Sequence, residues 1–170
     1  MGLFSFIREA GKKIFKSGDE VRQADPAASA EAIHQQQLAA LRAHVQGMGL
    51  NIKNLDVRFD AADGEVVLTG EAASRADYEK AALMAGNVAG IFKVDNQMTI
   101  APAAQAAPQE AESDTYEVKK GDTLWAIAER YYGSGAKYKQ IVEANQPMIK
   151  NENEIYPGQV LRIPRQHAQK

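Results

Sequence analysis

The stretch YEVKKGDTLWAIAERYYG, residues 116–133, decides the fold of the C-terminal part of the chain. Tyr116 and Val118 alternate with charged residues, which predicts a short half-buried strand. Gly121 supplies a turn, and Asp122 or Thr123 supplies the side-chain oxygen that caps a helix N-terminus. Leu124, Ile127, Ala128 and Tyr131 then fall at i, i+3, i+4 and i+7, one face of a helix. YGSGAK (132–137) ends that helix, and Tyr138, Ile141, Val142 and Asn145 repeat the pattern in a second one. IYPGQVLRIP (155–164) adds a turn at Pro157-Gly158 and a closing strand from Val160 to Ile163. The expected module is βααβ, with two helices on a two-stranded sheet. Its core is near the smallest that folds unaided.

Upstream, APAAQAAPQEAESD (101–114) carries no large apolar side chain, so it has too little surface to bury to order itself. It reads as an extended tether of roughly 3 Å per residue and marks a domain boundary. Before it, Leu38, Leu41, Val45 and Met48 form one helical stripe, and Leu55, Val57 and Phe59 alternate as a strand. Asp63-Gly64 predicts a hairpin turn, with Val66–Thr69 returning. Ser74 with Asp77 starts a helix that runs to Asn87, and Phe92, Val94, Met98 and Ile100 alternate as a last strand. At the N-terminus, Leu3, Phe6, Ile7, Ala10 and Ile14 share a helical face, interrupted by Gly11. That helix is expected to dock on a core, the other reading being a helix on a membrane surface. KSGDEVRQADPAAS (16–29) reads as a polar connection. The fold class is therefore α+β in two small domains. The expected partition is an amphipathic segment (1–29), a first domain (30–100), a linker (101–114), a second domain (115–164) and a tail (165–170).

With 20 basic and 22 acidic side chains in 170 residues, the net charge of −2 shows no basic footprint for nucleic acid. The absence of cysteine excludes disulfides, thiol catalysis and cysteine-ligated metals. No run reaches the roughly 18 apolar residues of a membrane span. In MGLFSFIREAGKK the apolar residues come first and Arg8 and Glu9 cut them short, which is not the order of an export signal. Phe6 stands where a myristoylation pattern needs Ser or Thr. A cytoplasmic, monomeric protein is expected. His34, His44 and His167 are scattered, Asp60, Asp63 and Glu65 lack calcium-loop spacing, and no serine or threonine has matched His and acid partners. The chain reads as a non-enzyme.

Two resemblances rest on these residues. Residues 115–164 resemble a LysM domain through YEVKKGDTL (116–124), Asn145 and IYPGQVLRIP (155–164), with Gln146 as a departure where the family often runs Asn-Pro. Residues 30–100 resemble a BON domain through VVLTG (66–70) and IFKVDN (91–96). Together with the opening MGLFSF and the GNVAGI turn (86–91), the combination resembles the small cytoplasmic potassium-binding proteins of the Kbp family. That resemblance implies a K⁺ ligand and a conformational change drawing the domains together.

Potassium suits uncharged backbone carbonyls, whereas carboxylate clusters favour Ca²⁺ or Mg²⁺. Helix C-termini leave carbonyls unpaired. IREAG (7–11) and AGNVAGI (85–91) are two such ends, expected to converge on one ion through the carbonyls of Ile7, Ala10, Gly11, Asn87, Gly90 and Ile91. The alternative is an envelope module binding peptidoglycan or other N-acetylglucosamine polymers. By the LysM resemblance, its groove would use Gly121, Asp122, Thr123, Leu124, Ile155, Tyr156 and Pro157. Trp125 falls just off the apolar stripe, so it is expected to be exposed and open to a sugar, a protein partner or the BON domain.

Overall fold

In the computed structural model, which describes residues 2–6, 11–106 and 113–165, the first sheet is built around one long central strand. Its elements are β1 (Gly2–Ser5), α1 (Gly18–Ala24), α2 (Ala30–Gln46), β2 (Ile52–Asp60), β3 (Glu65–Ala72), α3 (Arg75–Gly86), β4 (Lys93–Asn96) and β5 (Thr99–Ile100). The strand order is β1-β4-β3-β2, and β5 also pairs with β3. Valines and leucines alternate inward, so Val57 faces Leu68, Phe59 faces Val66, and Val66 faces Val94. β3 and β4 are parallel, and α3 is the crossover connection that parallel strands require. Leu41 and Val45 of α2 and Ala81, Ala82, Leu83 and Ala85 of α3 close the core.

Four expectations give way here. The opening residues are a strand, not a helix: β1 runs antiparallel to β4 with Phe4 opposite Val94, and the Phe6 amide donates to the Phe92 carbonyl at 2.7 Å. The physical reason is an unpaired edge on β4, which the N-terminal segment fills. The polar connection holds a helix, α1, started by a reciprocal Ser17–Glu20 capping box and anchored by buried Val21. The last strand is broken into β4 and β5 by Gln97 and Met98, which belong to neither strand. The hairpin also differs from a two-residue turn: Asp60 pairs with Glu65 across a four-residue loop, closed by Asp60 Oδ1 on the Ala62 amide.

The tether begins as a single helical turn, α4 (Pro102–Ala106). The second domain follows as β6 (Ser113–Glu117), α5 (Leu124–Tyr132), a 3₁₀ turn (Gly135–Lys137), α6 (Tyr138–Ala144) and β7 (Val160–Pro164). β6 and β7 are antiparallel, with Tyr116 opposite Leu161. Thr123, not Asp122, caps α5 by accepting the Ala126 amide at 3.1 Å. The core is Val118, Leu124, Ile127, Ala128, Ile141, Ile149, Leu161 and Ile163. Among the described residues no helix is long and apolar enough to cross a membrane.

Candidate functional site

The arm after β1 and the turn after α3 lie side by side. Lys12 bridges to Val88, its amide donating to the Asn87 carbonyl at 2.9 Å and its carbonyl accepting the Ala89 amide at 3.1 Å. Gly11 makes this approach possible in two ways. Its φ of 120° is a conformation L side chains rarely adopt, and a Cβ there would sit 2.7 Å from the Asn87 oxygen. At the neighbouring position, a Cβ on Gly86 would lie 2.0 Å from the Phe6 ring, so that glycine is the floor on which the arm's aromatic anchor rests.

Of the six carbonyls singled out above, Gly11, Asn87, Gly90 and Ile91 belong to these two adjoining segments, whereas Ile7 and Ala10 lie outside the described residues. No donor among the described residues meets the main-chain oxygens of Gly11 or Gly90. The Asn87 oxygen is engaged, by the Lys12 amide and, at 3.4 Å, by the Tyr156 hydroxyl. Among the described residues no group of three or more His, Asp or Glu side chains could hold a metal. Of these oxygens the Asn87 one meets the arm, through the Lys12 amide, whereas the Gly90 oxygen lies against Gly64 of the β2–β3 hairpin, 2.7 Å from where a Cβ there would sit.

The seam between the two domains starts at the same turn. Asn87 is 5% exposed. Its Nδ2 donates to the Val160 carbonyl at 2.8 Å and to Met148 Sδ at 3.1 Å, and its Oδ1 accepts the Val160 amide at 2.8 Å. Further along, Arg162 Nε donates to Glu79 Oε2 at 2.6 Å in a buried ion pair, with Arg75 3.6 Å from the other carboxylate oxygen. A cleft of ≈ 440 Å³ opens beside the turn, lined by Gly11, Lys12, His44, Met84, Asn87, Lys150, Glu154 and Tyr156 among others. The half-buried His44 ring meets the main-chain oxygen of Met84, and burial together with the charge of Lys12 pushes its pKa down. Burial pushes the Tyr156 hydroxyl up to about 12, so it is a neutral donor.

The groove of the second domain has a volume of ≈ 520 Å³ and is lined by Asp122, Thr123, Leu124, Trp125, Tyr138, Glu152, Asn153 and Ile155. Of the residues singled out for a groove, Asp122–Trp125 and Ile155 line this one, while Gly121 and Pro157 do not and Tyr156 faces Asn87 and the other domain instead. Leu124 is buried, and Trp125 is 55% exposed with its ring 6.3 Å from that of Tyr138. Asp122 accepts the Tyr116 hydroxyl at 2.6 Å and the Lys119 amide at 2.9 Å. The Tyr116 hydrogen bond holds the Asp122 carboxyl below the usual range. Glu152 and Asn153 were not singled out in the sequence and Tyr138 was read only as part of the α6 stripe, since only folding brings the start of α6 and the 150s loop to α5. The seam residues Glu79 and Arg162 likewise carry no local signal, being 83 positions apart.

Comparison with known proteins bears on this geometry. Residues 34–102 match the BON domain model and residues 116–164 the LysM domain model. The chain is 38% identical over 165 residues to the potassium binding protein Kbp of Escherichia coli O6:H1, covering 96% of this chain and 99% of that protein. The chain belongs to the Kbp family. An uncharacterized protein of Deinococcus radiodurans is 34% identical over 74% of this chain and 50% of its own length. The N-acetylmuramoyl-L-alanine amidase sle1 of Staphylococcus epidermidis is 38% identical over 73 residues, 43% of this chain and 21% of that protein.

Proposed function

We propose that this chain is a cytoplasmic potassium-ion-binding protein, a sensor or buffer whose BON and LysM domains associate when the ion is bound. The observation that carries the reading is the convergence of the Gly11–Lys12 arm with the Asn87–Gly90 turn, where the Gly11 and Gly90 oxygens meet no donor among the described residues, in a relative of a potassium binding protein. The proposed ligand set is the main-chain oxygens of Ile7, Ala10, Gly11, Asn87, Gly90 and Ile91. Asn87 would join it by giving up the Lys12 amide or the Tyr156 hydroxyl that its oxygen now accepts. K⁺ is the only ligand required; the reading includes no catalysis, no nucleic acid and no second subunit. The association of domains follows from population shift: an ion stabilises whichever arrangement gathers its oxygens.

The test is a titration of the desalted protein across Li⁺, Na⁺, K⁺, Rb⁺ and Cs⁺, followed by amide chemical shifts of residues 11–12 and 87–91. Shifts saturating with K⁺, Rb⁺ and Cs⁺ but not with Na⁺ or Li⁺ are expected. An equal response to Na⁺, or none to millimolar K⁺, refutes the reading.

A second reading is favoured by the open groove and the exposed Trp125–Tyr138 pair, an aromatic platform of the kind that stacks on sugar rings. Under it the LysM domain binds N-acetylglucosamine polymers at the cell envelope. Quenching of Trp125 fluorescence by chitin oligomers, together with periplasmic fractionation of the native protein, would support that reading over the first.

A further inference from the structure

β7 is an edge strand. One of its edges pairs with β6; the other would present bare N–H and C=O groups. Two asparagine side chains cover that second edge in the same way. Asn145, from the LysM domain itself, accepts the Arg162 amide at 2.7 Å and donates to the Arg162 carbonyl at 2.7 Å. Two residues back along the strand, Asn87 does the same to Val160, accepting its amide and donating to its carbonyl, both at 2.8 Å. Because i and i+2 point the same way on a strand, the LysM sheet is completed by one amide of its own and one borrowed from the BON domain.

The residue that lends this amide is also the C-cap of α3, and its main-chain oxygen faces the arm. We propose that Asn87 is the joint that couples the cation site to domain docking: its main-chain oxygen belongs to the ion's surroundings while its side chain serves as the missing half of a strand pair for Val160. This rests on the cation reading of the preceding subsection and adds the residue that transmits it. Fixing the Asn87 backbone at the ion aims its amide at β7. Conversely, docking β7 on the amide holds the Asn87 oxygen in place. Reciprocity of binding free energies requires both directions to be equal. The carbonyl ligand has no side-chain chemistry of its own, so the side chain is free to do the second task.

The experiment uses the full chain with Asn87→Ala, which keeps the backbone oxygen, and Arg162→Met, which weakens the seam away from the arm and turn. K⁺ affinity is measured by amide shifts, and docking by hydrogen exchange of the Val160 amide. In the unaltered chain, K⁺ is expected to slow Val160 exchange. In Asn87→Ala, K⁺ affinity is expected to fall roughly 5- to 150-fold, the usual range of site-to-site coupling, and Val160 exchange to become independent of K⁺. Arg162→Met should lower K⁺ affinity in the same direction, because it loosens the docked state alone. Should Asn87→Ala fail to fold, Arg162→Met decides. If the unaltered chain binds K⁺ and the folded variants bind it within twofold of the unaltered affinity, the joint is refuted while the cation reading stands. If the unaltered chain shows no K⁺ response, the cation reading fails and the joint falls with it.

Discussion

Gly86 shows how much one missing methyl can hold in place. The Phe6 ring, 8% exposed, occupies the space a Gly86 side chain would take, with ring carbons 2.0 Å from the Cβ position. Gly86→Ala therefore has to expel the ring or shift α3. Overpacking of this kind costs about 1–3 kcal/mol. The expected result is a loss of about 2 kcal/mol in urea unfolding. The more specific consequence is rapid hydrogen exchange at the Phe6 amide, which now donates to Phe92. Slow exchange in the variant would mean that the ring repacks without releasing the arm. Gly11 is constrained differently, by its φ of 120° and by the Asn87 oxygen together, so no side chain substitutes there without moving the arm off the turn. Neither glycine advertises this in the sequence, because the atoms they make room for are supplied by segments about 75 to 80 positions away.

The second domain's elements were legible in the sequence because each is specified locally: a strand by alternation, a turn by Gly121, a helix by its cap and stripe. Thr123 carries the cap of α5. Thr123→Ala should cost about 1 kcal/mol, the usual value of an N-cap, read as an earlier urea midpoint in Trp125 fluorescence, whereas Thr123→Ser should leave the midpoint nearly unchanged. Equal midpoints for the two variants would show that Asp122 takes over the cap. The N-terminal elements were not legible for the opposite reason. GLFSFI fits a helical stripe and an alternating strand equally well, and what selects the strand is the open edge of β4, ninety residues on. The helix α1 was missed because its single buried residue, Val21, gives no periodicity, although SGDE at 17–20 already spells the capping box. Of the two candidate segments, AGNVAGI (85–91) was readable because it does end a helix, α3, whereas the reading of IREAG (7–11) as a helix end followed from the helix expected at the N-terminus, where the described residues form β1. The amide of Asn87 was not, since its partner lies in the other domain.

At the scale of the whole molecule, polar contacts at the seam between the BON and LysM domains make it sensitive to charge. Glu79 and Arg162 are both buried, and removing one partner of such a pair strands the other; losses of about 3–5 kcal/mol are typical of that. Arg75, 3.6 Å from Glu79, offsets part of it, so Arg162→Met is expected at the lower end. Restoring the balance with Glu79→Met in the same chain should recover most of the loss, measured as thermal stability. If the double variant is no better than the single one, the cost lies in packing rather than stranded charge. His44 gives the seam a proton dependence as well. It sits on α2 against the Met84 oxygen of α3, facing Lys12 on the arm, in a cleft that also holds Lys150 and Glu154 from the LysM domain. Burial and the Lys12 ammonium depress its pKa from the ordinary 6.5, so the folded chain prefers the neutral ring. The unfolded chain therefore takes up the proton first as pH falls. This contribution is fully present above pH 6.5 and is lost progressively as pH drops through 6.5 toward the lower folded value, at no more than roughly 1.4 kcal/mol per pH unit for one proton. Stability measured from pH 8 to 5 should thus be flat and then decline. His44→Gln, which keeps a donor for the Met84 oxygen without a titrating ring, should flatten the part of the decline nearest neutrality. A decline of the same size and midpoint in His44→Gln would assign the proton to another group. On the cation reading, the same charge, placed next to the arm and turn, should also weaken K⁺ binding as pH falls through the ring's folded-state value, which lies below 6.5, in the unaltered chain and not in the variant.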